Sequence, residues 1–184
     1  MTDYTAVESR LRRVTDANSP QRFASRIGPL LADIWAHEYS ERTKDCVLLE
    51  TSVNGFSYLF DAQAGRLVAA WGVSRGRSHE SRDAIATRMK GHPLSNSGLY
   101  HRGHAIAHTL GGGTDINLVP QLGKINTGRF RALEKKAVAN SGSLYFSYWL
   151  YARAGDSQVP QTVQQGLLCP HASGCSFELA VFEN

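Results

Sequence analysis

LYHRGHAIAHTLGGGTDINLVPQLGKINTGRFRALE, residues 99–134, gathers the side chains best suited to chemistry and contains a change of structural period. Short extended runs lead through the glycine turn Gly111-Gly112-Gly113 to a stretch where Asn126 precedes Phe130, Leu133 and Ala137 by four, seven and eleven residues. That spacing marks one stripe of a helix. The helix is predicted over about Thr127 to Ala139, with Lys135 and Lys136 in its last turns and Ser141-Gly142 as its stop. A carboxamide on this stripe turns toward the interior at the helix start, where its carbonyl oxygen suits a hard cation. Capping the helix is the other common use of an Asn in this place. Glu134, two turns on, can support such a cation through its hydration water or pair with Arg131 on a solvated face.

His104 follows Gly103, so backbone or substrate can approach it closely, and Arg102 two residues earlier can grip a phosphate bidentately. A neutral imidazole is well matched to take a proton from water near pH 7. Phosphodiester hydrolysis also needs a charge clamp, and Mg²⁺ supplies one while keeping most of its own waters, so one or two protein ligands suffice.

Outward from this stretch the patterns alternate. Ser19-Pro20 reads as the start of a helix, Gly28-Pro29 as its end and the start of another, and Leu30, Leu31, Ile34 and Trp35 recur at helical spacing up to about Ser40. Cys46 to Val53 reads as a strand, Asn54-Gly55 as a type I′ turn, Phe56 to Asp61 as the returning strand and Leu67 to Val73 as a third. A short helix is predicted from Ser78 to Gly91-His92-Pro93, and three more strands over Leu144 to Ala152, Val159 to Cys169 and Ser176 to Phe182. The expected fold class is α+β with mostly antiparallel sheet and an N-terminal helical region. Residues 1–42 are expected to form that region, of unassigned role, and residues 43–184 the functional domain.

The 184 residues, 42% of them hydrophobic, suffice for one substantial core. No apolar run approaches the length of a membrane span, and the N-terminus carries acids and arginines where a signal peptide has an apolar block. The expectation is a soluble protein with no membrane partner, cytoplasmic or exported by a specialised route. Cys46, Cys169 and Cys175 are too few for a disulfide framework. The net charge of +4 is uneven: residues 64–138 hold twelve Lys/Arg against four Asp/Glu, an excess of +8, between mildly acidic flanks. Concentrated positive charge attracts a polyanion such as nucleic acid, although a merely solvated surface has the same composition.

The stretch from about Leu99 to Glu134 resembles the ββα-metal core of the DNA/RNA non-specific endonucleases, the family that includes endonuclease G. Arg102-Gly103-His104 matches the family's Asp-Arg-Gly-His box, Asn117-Leu-Val-Pro120-Gln121 its Asn-hydrophobic-Pro-Gln segment, and Asn126-Thr-Gly128-Arg-Phe130 with Glu134 its helix start. The resemblance implies a ββα-metal (His-Me finger) core and a nuclease of little sequence specificity that leaves 5′-phosphate ends. It further implies His104 as general base, Asn126 as the direct Mg²⁺ ligand with Mn²⁺ as an alternative, Glu134 as support for the cation, and Arg102 as a phosphate contact. Asn117, Arg129 and Arg131 are read as scaffold or substrate contacts. The family's leading Asp is His101 here, so one carboxylate is missing.

Other readings stay open on the residues alone. His101, His104 and His108 would form a three-histidine zinc site on a continuous helix, although Gly103 and the triple glycine argue against that helix. Cys169, His171 and Cys175 could hold zinc or form a disulfide but lack an evident fourth ligand. The triple glycine is no phosphate loop, since no Lys-Ser/Thr follows it. The rival from another class is a non-catalytic nucleic-acid-binding module. An unexported nuclease of this kind would endanger its own cell, which suggests an antibacterial toxin or effector restrained by an inhibitor protein.

Overall fold

The computed structural model describes residues 2–13, 19–79, 98–113, 116–153, 157–172 and 174–184. Helices α1 (Thr5–Leu11) and α2 (Pro20–Arg42) come first. A meander follows of β1 (Leu48–Val53), β2 (Phe56–Asp61) and β3 (Arg66–Val73). Then come β4 (Tyr100–His104), β5 (Leu118–Leu122) and α3 (Phe130–Ala139). Strands β6 (Leu144–Leu150), β7 (Thr162–His171) and β8 (Gly174–Glu183) complete the described elements. Six strands form one antiparallel sheet in the order β1-β2-β3-β6-β7-β8, and β4 pairs with β5 in a separate two-stranded sheet. The fold class is therefore α+β with mostly antiparallel sheet, as the alternating patterns predict.

Strand β6, Leu-Tyr-Phe-Ser-Tyr-Trp-Leu, shows why the molecule is layered. All seven residues are buried, which in an antiparallel strand means that both faces are covered. Phe146 and Tyr148 face one way, against Trp35 of α2, with ring centroids 5.0 and 5.7 Å away. Trp149 faces the other way and stacks on Phe130 of α3 at 5.8 Å. Ser147, on that same second face, donates to the Ala105 carbonyl at 2.6 Å. The sheet is thus a wall, with α1 and α2 on one side and the β4-β5-α3 unit on the other.

The N-terminal helices share this core. Trp35 donates to the Tyr4 hydroxyl (3.0 Å), which donates to Gln164 of β7 (2.8 Å). The Gln164 amide in turn donates to Thr2 (2.8 Å), and Thr2 to Glu38 (2.6 Å). The break expected at Gly28-Pro29 is absent: α2 runs unbroken through Pro29. Proline forfeits one helix hydrogen bond, but Ser25 and Pro29 both border an open groove where the freed carbonyl can be hydrated. Burial of Phe23, Ile27, Leu31 and Trp35 along one face outweighs that loss.

Asn54 and Gly55 both take positive φ, 54° and 81°, as a type I′ turn requires. Observed β2 coincides with the predicted strand, and the later strands differ at their ends by a few residues. The helix expected from Ser78 to Pro93 falls mostly on residues outside the described ones. Among the described residues no helix is long and apolar enough to cross a membrane.

Candidate active site

The β4-β5-α3 unit places the residues on which the sequence reading rests. Arg102 pairs with Pro120 and His104 with Leu118 across the two strands. Because successive side chains alternate, Arg102 and His104 share one face and His101 takes the other. His101 packs over Gly123, where a Cβ would lie 2.7 Å from its Nε2. The three-histidine zinc site is thereby corrected: on a strand, residues three apart cannot converge.

Asn117 is buried and braces the chain just after His104. Its Oδ1 accepts from the Ile106 amide (2.7 Å), and its Nδ2 donates to the carbonyls of Ile106 and Gly113 (both 2.8 Å). Gly103 is required for a different reason than access to the substrate. A Cβ there would collide with the side chain of Gln121, which packs over it from β5. Gln121 of the Asn-x-x-Pro-Gln segment and the glycine of the Arg-Gly-His box are therefore two halves of one packing contact. A glycine inside a strand was the available sequence signal for it.

The helix begins differently from expectation. A kinked turn, Ile125–Arg129, precedes α3, with Gly128 at the non-helical angles φ −106° and ψ −108°. This kink takes Asn126 off the stripe of Phe130, Leu133 and Ala137, which are buried. Asn126 is consequently half-buried in the wall of a cleft rather than inside the core. It provides no capping bond, and among the described residues its side chain makes no hydrogen bond, which leaves the carboxamide oxygen available. The Phe130 carbonyl at this junction accepts from Gln165 of β7 (3.0 Å), whose amide also donates to the Tyr145 hydroxyl (2.6 Å).

The cleft has a volume of about 690 Å³ and is lined by Arg102, His104, Asn126, Arg131 and Glu134 of the expected set. It adds Arg77 and Lys135, which the sequence reading did not assign to a site, and His108, which that reading placed only in the zinc alternative. The His104 and His108 rings lie 6.3 Å apart and nearly perpendicular. Arg129 is exposed and does not line the cleft. Nor does the basic segment act as one block: Arg66 is buried against Asp61 at 3.9 Å and Lys136 pairs with Glu178 at 2.6 Å. Four cationic side chains nevertheless line the cleft, with Glu134 as its one acid among the described residues.

Burial pushes the Glu134 carboxyl up to about 7, partly opposed by the charge of Arg131. The raised value has a consequence for stability. Without a cation, the protonated carboxyl favours the fold; this contribution is fully present below the ordinary carboxylate pKa and is lost as pH rises through about 7. Glu134→Gln, which cannot ionise, should therefore stabilise the cation-free protein at pH 8, by on the order of 2–3 kcal/mol, and change little at pH 4. Melting curves of both proteins in chelator at the two pH values check this. Parallel pH dependence would show that Glu134 is not the buried group described.

Two antiparallel strands leading into a helix, with a histidine ending the first strand and an amide and a carboxylate on the helical segment lining one basic cleft, define the ββα class of nuclease fold. The chain belongs to the DNA/RNA non-specific endonuclease family, whose model matches residues 49–164. That membership makes it a nuclease by class. Solved structures similar to it include one described as "Crystal structure of the EndoG/EndoGI complex: Mechanism of EndoG inhibition". It is 15% identical, with 81% of this chain and 79% of that chain covered and a TM-score of 0.55. Another, "Structure of Sda1 nuclease with bound zinc ion", is 18% identical over 77% of this chain and 85% of that chain, with a TM-score of 0.46. Among curated proteins none matches the chain.

Proposed function

We propose that the protein is a Mg²⁺-dependent endonuclease that hydrolyses DNA or RNA with little sequence preference and leaves 5′-phosphate and 3′-hydroxyl ends. The observation that carries this reading is the convergence of His104, Asn126 and Glu134 on one cleft lined by Arg102, Arg131 and Lys135. The donors fit a hard cation: a carboxamide oxygen with no hydrogen-bond partner among the described residues, and a carboxylate lining the same cleft. Among the described residues no group of three His, Cys, Asp or Glu could hold a metal in the manner of zinc. Mg²⁺, or Mn²⁺ in its place, would be held by Asn126 with Glu134 in support, and would stabilise charge on the phosphate and on the departing 3′-oxygen.

The protein's own groups do the rest. His104 takes a proton from water as its oxygen forms the new bond to phosphorus. The bond from phosphorus to the 3′-oxygen breaks, and that oxygen gains a proton from solvent. Arg102 and Arg131 hold phosphate oxygens, which carry no base identity, so the reaction is indifferent to sequence. The basic cleft also suits an inhibitor that presents carboxylates, and EndoG has been solved with its inhibitor EndoGI. A nuclease of this kind needs such restraint, and we assign it the role of an antibacterial toxin or effector delivered by specialised export.

Incubation of supercoiled plasmid and of total RNA with the protein in Mg²⁺, and again in EDTA, tests the central reading. Cleavage in Mg²⁺ alone is expected. Tight binding with no cleavage in either buffer would make the protein a non-catalytic binding module.

A further inference from the structure

A second groove, of about 240 Å³, lies beside the cleft, with Asn54, Arg75, Arg77 and Ser78 among its lining residues. Arg77 lines both, so the two are neighbours that share a wall residue. Arg75 and Arg77 are exposed, and among the described residues neither enters an ion pair. They flank Gly76, whose φ of 84° bends the chain between them, and both line this groove.

That segment is firmly held. Ser74 donates its amide to Ser143 (2.8 Å) and accepts from Gly142 (2.7 Å), and its hydroxyl donates to the Ala137 carbonyl at the end of α3 (2.6 Å). Ser78 donates its amide to Thr109 (2.8 Å), beside the cleft. The backbone beneath both arginines is thus tied to the helix and to the turn that line the cleft. Beyond Arg75, a further groove carries the carboxylate of Glu50, which repels an anion and marks where the basic path ends.

We propose that the Arg75–Arg77 groove is a second phosphate-binding site, which holds the backbone of a polynucleotide away from the bond being cut. The inference rests on the nuclease reading and deepens it. It gives the enzyme a preference for chains over short oligonucleotides, since a short substrate fills the cleft and leaves this groove empty.

The test uses the full-length protein carrying His104→Ala, so that substrate survives, and measures its affinity for a random-sequence DNA duplex over a range of salt. Each phosphate neutralised contributes about 0.9 to the slope of log K against log[salt]. Adding Arg75→Ala should lower that slope by about 0.9, so that affinity falls roughly threefold less between 50 and 200 mM salt. Adding Arg10→Ala, an exposed residue of α1 and an equal change in charge, should leave the slope alone. If Arg75→Ala and Arg10→Ala behave alike while the parent still binds, the second site is refuted and the nuclease reading stands. A parent that binds neither this duplex nor an RNA of equal length would overturn both.

Discussion

Replacing His104 with alanine lowers turnover by about 10²–10⁴, the usual contribution of a positioned base, while the affinity for Mg²⁺ barely changes. His104 lies half-buried in the cleft at the end of β4. The chain immediately after it is held by Asn117 and by Ser147 of the main sheet, so the substitution removes an imidazole without releasing the backbone. Cleavage kinetics beside calorimetric titration with Mg²⁺ read the two effects separately. A folded His104→Ala protein with near-normal cleavage would remove His104 from the mechanism.

Asn126→Ala should lose activity at least as severely at ordinary Mg²⁺ concentrations, but with the opposite signature. The cation requirement rises or calorimetric binding disappears, because the carboxamide is the direct ligand in this reading. A lost helix cap costs about 1 kcal/mol, but Asn126 caps nothing here, so the melting temperature should hold. A variant that retains both normal folding and normal Mg²⁺ dependence would place the cation elsewhere. Together the two substitutions separate proton transfer from cation binding, which loss of activity alone cannot do.

The parts of this site legible in the sequence are those governed by local rules. Asn54-Gly55 between alternating runs fixed a hairpin, and the apolar run at Leu144 gave a strand buried on both faces. Residues whose meaning depends on winding or long-range packing were harder. A helical stripe put Asn126 in the core, and the kink at Gly128 carries it to the cleft. Pro29 reads as a helix end until the burial of Trp35 is known. Arg77 reaches the cleft from a segment 25 residues before Arg102 in the chain, a convergence that no spacing announces. Gly103 was read for access, although its neighbour Gln121 gives the stronger reason.

Strands β4 and β5 are hydrogen-bonded to each other and stand apart from the six-stranded sheet. A two-stranded sheet has little stability of its own. This one relies on its packing against the wall and on a few side-chain bonds, among them those of Asn117, Ser147 and the Asn184 carboxamide, which clasps Leu122 and Pro120. The molecule is in this sense a platform carrying a cutting edge that takes its shape from it, since Ala105, Ile106 and Val119 are buried in the same core as the wall. A substitution that loosens the wall beneath this edge should therefore dull the enzyme even though it touches none of the residues that line the cleft.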